Sequence, residues 1–469
     1  MGGSAENRIQ SALTRFWSIA LIVGFSLGCK PQSSVSPPAA GLSPAPAGFV
    51  EVPDPLSGDN PRYPLAPVEP PAPGQSLTDA RFGTTMTRVG QTERLRHEYS
   101  RHDPFNRDKT LILLDYFPDG EWRVYRTATV PYDQAGNLVR TLDLAEPRWD
   151  PADPNVIWGF QEFRIVSMNV QTGQVGLVKD FAGDATIGPI LTANPDLYRV
   201  TMMDEGEPSA DMRYWAVLLQ GSRDDYRARY LFTWDRQQDR IAGLYPLTIE
   251  ESRIDWVGMS PLGNWVLIGG DWDNGGKLTG LVMANRELTS FHQLDVATAH
   301  SDVGLDSDGR EVIVMQSSRT DYIDMLPLDL STKPIVDAEE GYDNTGRVRL
   351  MRLYYDSESP LNLNSGVHIS CNAPGYCVVS TTTEPDRSEQ NWLDRTITLV
   401  RLDRQRPRAI YLAKVHGTAA AYWEETHASI SRDAQKVVWA TNWNRHVGEE
   451  RVWLMELDVP PAWLESPGK

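Results

Sequence analysis

Apolar and polar positions along this chain fall into a repeated unit. An apolar run leads into a tight polar turn, often close to Ser-x-Asp-Gly, and a second apolar run follows. VGMSPLGNWVLIGG from Val257, VGLDSDGREVIVMQ from Val303 and HASISRDAQKVVWATNW from His427 show it most clearly. Looser copies begin at Ser100, Glu146, Gly206 and Val367, which makes seven, spaced roughly 45–65 residues apart. Apolar runs on both sides of a turn read as a β-hairpin. One hairpin repeated at this interval predicts an all-β chain, a seven-bladed β-propeller with four antiparallel strands per blade and the first strand of each lining a channel.

The last copy supplies His427–Ser431, Lys436–Thr441 and Glu450–Asp458 and is one strand short. Phe82–Val89 is strand-like and is expected to pair beside Glu450–Asp458, closing the ring and leaving no open edge. The interval from Lys333 to Ser365 reads as an elaborated loop that includes an outer strand. The propeller is expected over residues 79–469.

Upstream of it the pattern changes twice. Arg8 and Arg15 precede the apolar run FWSIALIVGFSLG, which stops at Cys29. Thirteen residues are short for a spanning helix, which needs about 20. Residues 1–29 therefore read as an export signal, and Ser26-Leu27-Gly28-Cys29 resembles the lipobox of bacterial lipoproteins, with Cys29 as the lipidated residue. Ser26 stands where that motif usually has Leu. Residues 30–78 are dominated by Pro, Ala, Ser and Gly and read as a disordered tether. The address expected is the cell envelope, periplasmic or extracellular.

Two cysteines remain. Cys371 and Cys377 flank the turn NAPGY of a predicted hairpin, which can set them opposite one another at disulfide range. Export favours the bond over two reduced thiols. The net charge of −18 repels nucleic acid and anionic lipid, so membrane contact is expected only through the anchor. A monomer that meets a glycan or a protein ligand is the expectation for partners.

Aligning the copies on their turns brings out a histidine pattern. His102 and His427 each lie six residues before the turn aspartates Asp108 and Asp433. His368 and His300 take nearly the same place in their own copies. Copies five, six, seven and one are neighbours once the ring closes, so the four are expected to form an arc at one channel mouth. Glu146, Glu205, Glu207, Asp255 and Trp256 stand at the other copies' places. Imidazoles and carboxylates around one small space suit a divalent metal such as Mn or Zn, with His368, His427, Glu425 and His102 as candidate ligands. A single such His more often just bonds to the neighbouring blade. Loops on the same face carry Trp272, Trp443 and Arg445, a composition that suits stacking on a sugar but equally suits ordinary turns. DWDNGG from Asp271 is no calcium loop, because its twelfth position is Val282.

Over roughly residues 97–458 the repeats resemble the TolB-like propellers of exported bacterial proteins, a likeness shared across many functions. The chain is also similar, more weakly, to oligogalacturonate lyase and related propeller lyases. That resemblance implies metal ligation by His368 and His427 and a catalytic base at His300. Where the family has a His-x-His pair, this chain has Glu425-Thr426-His427. Two functions therefore compete. The first is an envelope propeller binding a glycan or a protein at its channel face. The second is a metal-dependent polysaccharide lyase, with His300 as base, Arg319 or a metal as the carboxylate neutraliser, and Tyr322 or Tyr422 as acid. No GxSxG occurs, which excludes a serine peptidase of the propeller-plus-hydrolase kind.

Overall fold

The computed structural model describes residues 48–464 apart from 59, 223–225, 271–273, 299, 318–319, 330–345, 355–364, 386, 388 and 390. Among the described residues, six meandering sheets of four strands and a seventh of five make up the ring. The first strands of blades 1 to 7 are Leu95–Arg96, Ala145–Trp149, Arg199–Thr201, Ile254–Met259, Ser301–Leu305, Ser365–Ala373 and Ser429–Ile430. The repeated turn explains the repeated sequence. In blade 4, Ser260 Oγ accepts from Trp265 N at 3.0 Å, and Gly263 supplies a φ of +73°. In blade 5, Asp306 Oδ1 takes the N–H groups of Asp308 and Arg310 at 3.0 and 2.9 Å.

The ring closes as expected. Thr85–Arg88 pairs antiparallel with Trp453–Asp458, setting Met86 opposite Leu457. A further strand, Ser76–Thr78, lies outside it and makes this the five-stranded sheet. The outer strand expected within 333–365 is Val348–Arg352. No described helix is long and apolar enough to cross a membrane.

The described part of the expected tether, from Gly48 on, is laid against the ring. Val52 N donates to Ala409 O at 2.8 Å and Arg352 N to Pro55 O at 3.0 Å, so the strap runs along the outer edges of blades 6 and 5. The Tyr63 ring meets Tyr411 edge-on at 5.2 Å, and Trp443 Nε1 donates to Val68 O at 2.9 Å. A Pro- and Ala-rich segment builds no core of its own, but in extended form it can satisfy outer strand edges. Composition does not register that docking.

Two features of the interior position the site. The first strands of blades 5, 6 and 7 pack side by side. Gly304 permits this, because a Cβ there would sit 2.9 Å from the Cβ and carbonyl oxygen of Cys371. In blade 1 the first strand breaks after Arg96 and pairing resumes only at Phe105, opposite Ile112. The intervening residues reach across the channel. Arg101 Nε donates to Ser301 O of blade 5 at 2.6 Å, its guanidinium lies 3.3 Å from Glu205, and it covers the Trp256 ring at 4.0 Å.

Candidate metal centre

His300 precedes the first strand of blade 5, His368 lies within that of blade 6, and Glu425 and His427 lead into that of blade 7. The close approach of these strands brings all four together. One ring nitrogen of His300 meets one of His368 at 3.2 Å (Nδ1 to Nδ1), so one of the two donates. His368 Nε2 contacts Glu425 Oε2, and His427 Nε2 lies 3.9 Å from the same oxygen. Donor atoms of His368, Glu425 and His427 all fall within 4.8 Å of one another. Gly366 makes room for the carboxylate, since a Cβ there would stand 3.2 Å from Glu425 Oε2.

His368 and His427 are fully buried, while the Glu425 side chain keeps 18% of its surface exposed. Burial pushes the Glu425 carboxyl up to about 7, against the opposing charges of His300 and Arg96. Burial, reinforced by His368 and Arg96, holds the His427 ring well below its ordinary range and therefore neutral. Neither ring nitrogen of His427 has a hydrogen-bond partner. Its backbone φ of +44° is also a left-handed conformation that costs a non-glycine residue about 1–3 kcal/mol. Two buried ring nitrogens without hydrogen-bond partners, on a strained residue beside a second imidazole and a carboxylate, are a donor set that a cation would satisfy. Tetrahedral donors about 2.0–2.2 Å from one ion lie roughly 3.4 Å apart, so the His368–Glu425 contact would open and the 3.9 Å separation of His427 Nε2 from Glu425 Oε2 would close for the three to share an ion. The donor set suits Zn or Mn.

An aromatic wall surrounds the group. Tyr99 meets His427 and His368 at ring separations of 5.1 and 5.6 Å, and Tyr422 and Trp423 meet His427 at 5.0 and 5.8 Å.

His102 is not part of this group. Its ring turns to blades 2 and 3, with Nδ1 3.1 Å from Glu207 Oε1 and Nε2 3.0 Å from Asp204 O. Arg148 Nη2 lies 2.9 Å from its Nε2 and bonds Glu98 at 3.0 Å through Nη1. Burial, helped by the Arg148 charge, lowers the His102 ring to about 4. The break in the first strand of blade 1 is the cause: counting back from the turn lands in the segment that crosses the channel, and His97 is the histidine beside Arg96 on the strand. His97 Nε2 contacts His427 O, and its signal in the sequence was that it is the first of the two histidines in the run from Arg96 to His102.

Three other expectations shift. Tyr322 stands on the third strand of blade 5 beneath Arg349 at 4.5 Å and Arg352 at 5.8 Å, and shares no hydrogen bond or ring contact with the histidines. Tyr422 takes the place beside them. Trp443 is buried, stacked on His416 at 4.3 Å and roofed by the strap, so it offers no sugar platform. Arg445 pairs with Glu69 of the strap at 2.6 Å. Arg319, Trp272 and Cys29 lie outside the described residues. Cys371 and Cys377 are joined, with Cα atoms 4.2 Å apart.

Fold and site together define a seven-bladed propeller with a His/Glu cluster beside the first strands of blades 5, 6 and 7. Among solved structures it is similar to oligogalacturonate lyase from Vibrio parahaemolyticus, with 11% identity, TM-score 0.52, and coverage of 83% of this chain and 97% of that one. An oligogalacturonate lyase in complex with manganese is similar at 12% identity and TM-score 0.51, with the same coverage of 83% and 97%. At such identities the likeness is one of fold. No protein-family model matches the chain, and no curated protein matches it in sequence.

Proposed function

We propose that this protein holds a divalent metal through His368, Glu425 and His427 and cleaves uronate-containing glycans by β-elimination. The observation that carries the reading is His427, whose two buried ring nitrogens lack partners beside two further donors. The fold shared with lyases, one of them solved with manganese, supports it. A divalent ion held there would supply positive charge to the uronate carboxylate and so acidify the neighbouring C5–H. His300, the histidine of the group that is not fully buried, takes the C5 proton as base. The C5–H electron pair forms the C4=C5 double bond as the C4–O bond breaks, and the Tyr422 hydroxyl protonates the departing oxygen. Arg96, with its charge buried behind Glu425, adds to the positive field at the mouth.

A second reading, a mouth that binds a glycan or a protein without turnover, is favoured by Glu425. A carboxylate there repels an anionic substrate where the resembled lyases have His. One assay separates the two. Metal-loaded protein is incubated with polygalacturonate and other uronate polymers while unsaturated-uronate absorbance is followed. The lyase reading expects a rise that chelator and His300→Asn abolish; stoichiometric metal with no rise on any polymer leaves the binding reading.

We further propose, on the apolar run that ends at Cys29, that the protein sits in the cell envelope and is anchored through that residue. The disulfide supports an oxidising compartment. Mass spectrometry of protein from its native host tests the anchor: an intact Met1 terminus rejects it.

A further inference from the structure

The segment that carries Glu425 and His427 is barely held by its own blade. Within blade 7 the first strand pairs only at Ser429 and Ile430, to which the bonds from Ala440 N to Thr426 O and from Ser431 N to Lys436 O add one contact at each end. Glu425 N bonds locally to Tyr422 O, and several of the remaining backbone groups go to side chains of the two flanking blades. On one side, blade 6 takes the N–H groups: Thr382 Oγ1 accepts from Thr426 at 3.0 Å and Ser380 Oγ from Ala428 at 3.1 Å. On the other, blade 1 takes the carbonyls. Arg96 Nη1 donates to Trp423 O at 2.7 Å and to Glu425 O at 3.1 Å, and His97 Nε2 contacts His427 O. Alternate carbonyls 423, 425 and 427 are thus gripped by two consecutive residues, both fully buried.

We propose that Arg96 and His97 are positioning residues that present Glu425 and His427 to the metal. The proposal rests on the metal reading above for its functional meaning. A strained residue such as His427 keeps its left-handed φ only where its surroundings over-determine it. A donor fixed on its own carbonyl does that, and His97 can donate there only with the proton on Nε2. Arg96 sets the carbonyl of Glu425 while Gly366 makes room for its carboxylate. The ring-closing junction between the last blade and the first is then what shapes the site, and residues that touch no ligand set its affinity.

The test compares His97→Gln, which keeps an N–H donor, with His97→Leu, which does not, alongside Arg96→Lys and Arg96→Met. Affinity for Mn and Zn is measured by equilibrium dialysis, and hydrogen exchange of the peptide spanning 423–428 is followed in metal-free protein. The Leu and Met variants are expected to bind metal about 10–100-fold more weakly and to exchange faster in that peptide alone. Gln and Lys should recover both. Leu affinity within about twofold of the parent, or Gln and Leu weakened alike, overturns the proposal. Should the parent bind neither metal, the metal reading fails, and the exchange pattern alone decides whether the grip exists.

Discussion

Replacing His427 by Phe should make the metal-free protein more stable, an unusual sign for a fully buried polar-to-apolar change that enlarges a ring. The aromatic contacts with Tyr99, Tyr422 and Trp423 are of a kind that Phe can keep. What disappears is two buried nitrogens without partners, each costing about 1–3 kcal/mol. Against that stands overpacking by a larger ring in a closed site, about 1–3 kcal/mol. The left-handed backbone is common to both. At the middle of both ranges the balance favours the variant by about 2 kcal/mol in chelator. With metal at about 100 times its dissociation constant the order reverses, because the parent alone gains about 2.7 kcal/mol. Guanidinium unfolding midpoints with chelator and with metal give both numbers. A variant destabilised by several kcal/mol in chelator would refute the reasoning, since His427 would then be an ordinary satisfied core residue.

Glu425→Gln keeps the shape and removes the charge, and should weaken metal binding by at least the ~10–100-fold typical of outer-shell partners, read by dialysis. Burial holds both His102 and His416 near 4, below the ordinary 6.5, so the unfolded chain binds more protons between those values. Their contribution is intact above about pH 6.5 and lost as pH falls towards 4; His416→Phe, which keeps the stack on Trp443, should flatten that slope in unfolding midpoints measured across the window. Replacing both Cys371 and Cys377 by Ala should cost only about 2 kcal/mol, because the loop they close is short, with a sequence separation of 6. A loss above about 5 kcal/mol would mean that the pair does more than cross-link the loop.

The ring was legible because most blades repeat a similar turn chemistry, and Ser260, Asp306 and Ser431 each bond the backbone of their own turn. Its closure was legible as well, since a blade one strand short demands a partner and Phe82–Val89 alone could supply it. Three of the four arc histidines come together because they sit at or just before unbroken first strands. His102 does not, since the break between Arg96 and Phe105 destroys the register on which the count relies. The buried state of Trp443 was hidden for another reason. It depends on a Pro-rich strap docking from more than 300 residues away in sequence, and no local pattern encodes that contact.

Whether His368, Glu425 and His427 form a metal centre is read from the metal content per chain, by elemental analysis of protein purified without chelator, set beside His368→Ala and His427→Ala. About one divalent ion per parent chain and almost none in either variant is expected. Parent protein free of metal, or variants that keep it, would rule the centre out.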